Sequence, residues 1–294
     1  MSFKEELSER IRYAEGVIRS YLPKEEGYQK TVLEAMNYAV LVGGKRLRPI
    51  IINECYRMLG GTENVHEPFM AAIEFLHTAS LVHDDLPCMD DDEYRRGKKT
   101  VHAIYGEAVG VLVGDALLNF TYETASRALA LGDAEKVGKA LSVLASRAGV
   151  FGMIGGQMVD LESEGKEVDY KTLEFIHTNK TAALIEASML VGAILAGASD
   201  EELERLSRIA VDIGFAFQIQ DDVLDVIGDS TVLGKPTGSD EELKKTTYVS
   251  VFGLEKAKQD VKFYSERAAK ALESFGEGAS FLISLVDMLI TREK

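Results

Sequence analysis

Asp84-Asp85-Leu86-Pro87-Cys88-Met89-Asp90 lies in the first third of this 294-residue chain, and Asp221-Asp222-Val223-Leu224-Asp225 in its last third. Each follows directly on an apolar, helix-forming run. Carboxylates this dense repel one another, so burying two such sets facing each other makes sense only with cations between them. Hard oxygen ligands that leave coordination positions open suit Mg²⁺ shared with a phosphorylated molecule. The expectation is a site that holds a diphosphate through magnesium.

In the second cluster Asp221 and Asp225 are four residues apart and share a helix face, with Asp222 beside them and Gln218 one turn earlier. Alone, such a cluster reads equally as a solvated acidic helix end. The preceding Ile213-Gly214-Phe215-Ala216-Phe217 is strongly apolar, however, and unpaired charge at the end of a buried helix is costly without a purpose. In the first cluster Asp84 and Asp90 stand about 240° apart on a regular helix, so they converge only if it is distorted. Pro87 supplies the distortion by removing a backbone donor and disfavouring helical geometry at Leu86. Upstream, Ile73, His77, Ser80 and Asp84 line one face. A lone His on an apolar helix is usually a satisfied core residue, but His77 sits two turns before Asp84 on that face, which favours phosphate contact. Downstream, Asp90-Asp91-Asp92 runs into Arg95-Arg96-Gly97-Lys98-Lys99. Acid followed at once by base suits a phosphate held by metal on one side and guanidinium on the other. A surface salt-bridge patch would need no apolar helix driving into it. Cys88 has no base near it in sequence and reads as a packing residue.

A third constellation is Gly43-Gly44-Lys45-Arg46-Leu47-Arg48-Pro49. Two glycines stop one helix and Pro49 is expected to open the next at its first position. The same geometry offers backbone N–H groups beside Lys45 and Arg48, an anion site. A Gly-Gly-Lys alone is weak evidence, and it gains weight from its basic neighbours in so acidic a chain.

These residues need elements to carry them, and nearly every segment reads as helix. Leu7, Ile11, Ala14, Val17, Ile18 and Tyr21 recur at helical spacing, and the same character marks 67–85, 109–130, 134–150, 170–196, 201–227 and 254–275. Strand alternation is almost absent. No linker or low-complexity tract interrupts the chain, so one all-α domain over 1–294 is expected, a large bundle of about ten or more helices. The charge of −15, from 33 basic and 48 acidic side chains, argues against a nucleic-acid or anionic-membrane surface. Residues 181–198 are the most apolar stretch, yet Glu186 and small-residue breaks mark a buried helix rather than a membrane span. The first residues lack the apolar core of a signal peptide, and two cysteines imply no disulfide framework, so a cytoplasmic setting is expected.

The motifs Gly44-Lys45-Arg46-Leu47-Arg48-Pro49, His83 to Asp90, Arg95-Arg96-Gly97, Gly114-Asp115, Gly156-Gln157-x-x-Asp160, Lys180-Thr181, Phe217-Gln218-x-x-Asp221-Asp222-x-x-Asp225 and Leu233-Gly234-Lys235 together resemble the trans-isoprenyl diphosphate synthases, in particular bacterial short-chain farnesyl and geranylgeranyl types. The resemblance implies an all-α bundle around a central cavity, a homodimer, and a prenyl transfer between isopentenyl diphosphate and an allylic diphosphate. It assigns Asp84, Asp85, Asp90 and Asp221 to Mg²⁺, supported by Asp222, Asp225 and Gln218. Arg95, Lys180 with Thr181, Lys235 and Lys245 fall to the allylic diphosphate. Lys45, Arg48, His77 and Arg96 fall to isopentenyl diphosphate, bound without metal. The Gly, Ser and Thr content of residues 228–245 suits a mobile segment, and whether it closes over the site stays open at the level of sequence.

In the same family an aromatic residue five positions before the first Asp often limits the product to farnesyl. Here Ala79 occupies that position with Ser80 beside it, so the resemblance leans to a longer, geranylgeranyl product unless Leu76, Phe75, Ile73, Leu112 or Val113 closes the floor. Two other readings share the fold: a class I terpene cyclase, which typically has a less Asp-rich second motif, and a non-catalytic subunit of a heteromeric synthase, which tends to lose an aspartate cluster. A plain acidic metal-binding protein leaves Lys45, Arg48, Arg95 and Arg96 unexplained.

Overall fold

The computed structural model describes residues 2–227 and 246–291, and its contacts divide the chain into two compact units. The first holds residues 1–53 and 62–141, the second 54–61 and 142–294.

Helix α1 (Phe3–Tyr21) opens with a capping box in which Ser2 and Glu5 satisfy each other's backbone N–H groups, and its apolar stripe buries Ala14, Val17 and Ile18. Helices α2 (Lys30–Leu41) and α3 (Leu47–Met58) flank the glycine pair. Pro49 therefore stands third in α3 rather than first. The helix starts earlier because Arg46 accepts its first bond, from the Ile50 N–H at 3.2 Å, and Pro49 still lies in the first turn, where its missing N–H costs nothing. Helix α4 (Glu67–Asp84) is buried on most of its circumference and packs most extensively on α6 (Glu107–Ser126). Phe75, Ala79 and Val82 of α4 meet Ile18, Met36, Val40, Val113 and Leu117 in one apolar cluster.

Between α4 and the short α5 (Val101–Tyr105) the sequence pattern missed a two-residue hairpin, β1 (Tyr94–Arg95) with β2 (Lys98–Lys99). Its connection, Arg96-Gly97, has positive φ at both residues (54° and 73°), as a primed two-residue hairpin turn requires. Five consecutive charged or glycine positions, 95–99, gave no period-two hydrophobic signal.

Helix α7 (Ala134–Ala148) begins in the first unit and ends in the second, where α8 (Met153–Ser163) follows, then α9 (Tyr170–Ile176), a π-helical turn His177–Ala182, and α10 (Ala183–Ala196). The sequence predicts one regular helix over 170–196; the π turn interrupts it. Every residue from Ala183 to Leu195 is buried, Glu186 included, and that carboxylate is held by Arg147 at 2.7 Å and Ser207 at 2.6 Å. Two stretches, Ala134–Ser163 and Tyr170–Ala196, are long and apolar enough to cross a membrane by composition; the most apolar window of the second is 78% buried. Helix α11 (Asp200–Ile227) packs on α10 and on α13 (Leu254–Glu273), with α12 (Tyr248–Phe252) and α14 (Ser280–Thr291) completing the unit. Leu173, Phe215, Ile219, Val223, Tyr248 and Val261 form its apolar cluster beneath the second aspartate motif.

Candidate active site

In the first unit α4 stops at Asp84. Asp85 caps it, and the chain turns so tightly through Pro87 that the Asp90 N–H donates to the Asp84 carbonyl at 2.9 Å. Asp91 takes a left-handed backbone to complete the turn. The distortion expected from Pro87 thus brings the backbones of Asp84 and Asp90 together. Asp84 is half-buried, Asp85 buried and Asp90 exposed. Asp85 is already engaged: Arg95 reaches the same oxygen from Nε at 2.7 Å and from Nη2 at 2.6 Å. Burial raises the Asp85 pKa above its ordinary value while the Arg95 bond opposes that shift. Cys88 is exposed in this turn and packs against no core, contrary to the sequence expectation, because the turn carries residues 87 and 88 outward.

The position of the turn is fixed from α6. His83 lies over the α6 backbone, its ring nitrogen 3.2 Å from the Val111 carbonyl and 3.7 Å from Asp115. A Cβ at Gly114 would overlap the His83 ring, so this close approach needs glycine there. That gives Gly114-Asp115 a physical role that spacing alone could not supply.

The face predicted to run Ile73, His77, Ser80, Asp84 exists, half-buried from His77 upward and closed by fully buried Ile73. His77 is held well below its usual pKa, first by burial and then by Arg48, Arg96, Arg95 and Arg46, so it is neutral at pH 7. Arg96, exposed, donates to the Gly43 carbonyl, which ties the hairpin to the glycine pair. Lys45 is exposed and Arg48 half-buried. Arg46 from the same motif points the other way: it is 4% exposed and paired with buried Glu74 at 2.6 Å. Ala79 sits inside the apolar cluster, whereas Ser80 is half-buried and its hydroxyl donates to the His77 carbonyl at 2.9 Å. Leu76 is fully buried.

In the second unit Asp222 and Asp225 are buried and Asp221 half-buried, one turn before the exposed end of α11 at Val226 and Ile227. Asp222 accepts the buried N–H of Tyr248 at 2.7 Å, and His177 lies 4.0 Å away. Burial, opposed weakly by Asp160, drops the His177 pKa to about 4. Gln218 accepts from the Thr181 hydroxyl at 2.8 Å and its amide lies 3.5 Å from Asp222. Lys180 is bound by Asp160 at 2.5 Å. The π turn presents Lys180 and Thr181 together, and Gly156 is what admits it: a Cβ there would overlap the Lys180 backbone. Sequence spacing gave no sign of Glu74, His177 or Tyr248, since each acts through a partner distant in the chain. Lys235, Lys245 and the rest of 228–245 lie outside the described residues.

Among the described residues no three carboxylate, imidazole or thiol groups form a ready metal cage. The donors of both motifs are all carboxylate oxygens, which fit Mg²⁺ completing its shell with phosphate oxygens.

The fold and these two sets of carboxylates and cations define a prenyltransferase of the all-α isoprenyl synthase class. The polyprenyl synthetase family model matches residues 29–276, and the chain belongs to that family. It is 44% identical over 287 residues to a dimethylallyltranstransferase of Fischerella ambigua, covering 97% of this chain and 82% of the relative. It is 40% identical to the farnesyl diphosphate synthase of Escherichia coli over the full length of both chains. A geranyltransferase from Helicobacter pylori, crystallised with magnesium and isoprenyl diphosphate, superposes with a TM-score of 0.85 at 31% identity over 99% of this chain and 97% of that one. Chemistry is therefore short-chain trans-prenyl transfer, as the sequence motifs imply.

Proposed function

We propose that the protein joins isopentenyl diphosphate head-to-tail to allylic diphosphates, dimethylallyl, geranyl and, for the longer product, farnesyl, giving farnesyl or geranylgeranyl diphosphate. The observation that carries this reading is the presence of two unlike anion-binding chemistries in one chain. Carboxylates suited to magnesium make one, and a metal-free group of cations around a neutral His77 makes the other.

Asp84, Asp85, Asp90 and Asp221 are the residues assigned to Mg²⁺, which supplies charge neutralisation for the departing pyrophosphate. Asp222, Asp225 and Gln218 keep Asp221 in register on α11. Arg95 and Lys180 serve the allylic diphosphate, each now held by a carboxylate, Asp85 and Asp160, that fixes its position. Lys45, Arg48 and Arg96 provide charge for isopentenyl diphosphate, and neutral His77 provides a directed hydrogen bond rather than a further charge. Ionisation leaves an allylic cation that the isopentenyl double bond attacks; proton loss to pyrophosphate completes the five-carbon extension. Lys235 and Lys245 are proposed as further allylic-site cations on the strength of the motif alone.

Several finer readings go with it. The single family match running through 29–276 supports treating both units as one catalytic domain. Apolar side chains left exposed on α6, Val111 at 40% and Leu112 at 59%, support a homodimer that covers that helix. Unpaired thiols at Cys55 and Cys88 suit a reducing cytoplasm.

Incubating the protein with dimethylallyl and isopentenyl diphosphates, with and without Mg²⁺, and weighing the products tests the reading. Magnesium-dependent condensation supports it; no condensation with any primer favours a cyclase or a silent subunit. Ala79→Tyr then tests product length, with a shift toward farnesyl expected, and an unchanged distribution would remove position 79 from the argument.

A further inference from the structure

Arg46 does not behave like the other cations of its motif. Its backbone is left-handed (φ 52°), a conformation a side chain of this size holds only when its surroundings fix it. Its guanidinium is buried, where Nη1 meets Glu74 Oε1 at 2.6 Å and Nη2 donates to the Val40 carbonyl at 2.8 Å. Val40 is in the last turn of α2, whose final carbonyls lack intrahelical partners, and Glu74 projects from the middle of α4. One side chain thus joins the helix before the glycine pair to the helix carrying His77. The loop between these anchors is held from the other side by Arg96, which donates to the Gly43 carbonyl with its guanidinium lying against Gly44. Of the neighbouring side chains in the motif, Lys45 is exposed and Arg48 half-exposed.

We propose that Arg46 and Glu74 are positioning residues for the metal-free diphosphate site, a buried pair that cinches the Gly43–Arg48 loop onto α4 so that Lys45, Arg48 and His77 are presented together. The inference rests on the diphosphate reading above. It assigns Glu74, the buried acid of a basic cluster, a role opposite to that expected from its charge. Glu74 lies close enough to Arg48 and Arg96 to weaken the local positive field. Were field strength all that mattered, neutralising it would tighten anion binding; if the pair positions the loop, neutralising it loosens binding.

The test is inorganic pyrophosphate binding by calorimetry in the presence of a chelator, together with steady-state kinetics. For Glu74→Gln we expect pyrophosphate affinity to fall about tenfold or more, the lower range for losing an orienting partner. KM for isopentenyl diphosphate should rise in parallel, with kcat and KM for the allylic substrate little changed. Tighter or unchanged pyrophosphate binding would overturn the proposal. The double variant Arg46→Gln/Glu74→Gln removes the buried charge that Glu74→Gln leaves with only Glu15, 3.8 Å from its Nε, and should regain thermal stability; a return of pyrophosphate affinity with it would show the pair to be merely structural. If Glu74→Gln does not fold, Arg46→Lys, which keeps the charge but loses the fork to Val40, must raise the isopentenyl KM selectively or the proposal fails. A wild-type protein that binds no metal-free pyrophosphate would overturn the diphosphate reading itself, and the pair's role with it.

Discussion

The two aspartate motifs solve one electrostatic problem in different ways. In the first unit the carboxylates come off the end of α4 into a turn, and the cation beside them, Arg95, arrives on a hairpin and binds Asp85 directly. In the second the carboxylates stay on the continuous helix α11. Their neighbour Lys180 is held instead by a separate acid, Asp160, while Asp222 is satisfied by a backbone N–H. The first arrangement spends a motif carboxylate on restraining its arginine, and the second holds its lysine with a carboxylate from outside the motif. A half-site rich in arginine needs an internal counter-charge.

The largest effects should come from the carboxylates themselves. Asp85→Asn and Asp221→Asn are each expected to lower kcat/KM on the order of 10³-fold, the scale of losing a strong electrostatic contact to a leaving group. If only one does so, the two motifs are not equivalent partners in ionisation. Next come the glycine seats, where the contrast is between side chain and backbone. Gly156→Ala forces a Cβ into the Lys180 backbone, which cannot rotate away, and should cost about 3 kcal/mol in denaturant unfolding. Gly114→Ala meets the His83 ring, which can swing, so a loss of about 1 kcal/mol with a raised Mg²⁺ requirement is expected. Equal losses at both positions would erase that distinction.

Acid sensitivity should sharpen the comparison in the second unit. His177 has its pKa depressed to about 4, so the unfolded chain takes up its proton near pH 6.5 while the folded protein refuses it. Stability is therefore full above pH 6.5, falls as pH drops toward 4, and loses nothing further from this group below that. The loss is on the order of 3 kcal/mol. Urea unfolding of His177→Gln between pH 7 and 4 should show a correspondingly flatter slope, and an unchanged slope would mean His177 is not the group responsible. The smallest effect is expected at the exposed pair Lys30–Glu34, 3.1 Å apart, where Glu34→Gln should change unfolding by under about 0.5 kcal/mol.

Much of this was legible in the chain. Apolar spacing located α1, α4, α6, α7, α11 and α13 to within a few residues because a helix that buries one stripe must repeat it every turn. Pro87 announced the break after Asp84, and the order of motifs identified the family. Regularity was over-read where helix propensity continued through 177–182, since a π turn is chosen by the packing of Gly156 against it rather than by local preference. Cys88 was misread as packed because nothing local distinguishes an apolar residue on a turn from one in a core.

By itself the sequence determined the helical class, the stations of the aspartates and the basic residues, and therefore the kind of chemistry. Those depend on residue type and on spacing within one element, which a periodic backbone converts directly into a face. Which charge meets which was decided only in three dimensions. Arg95 closes on Asp85 because a two-residue hairpin reverses the chain, and Arg46 turns inward to Glu74, 28 residues away, while Arg48 stays with the site. Such pairings depend on burial and on contacts between distant segments, and a charged residue's letter carries no record of its partner.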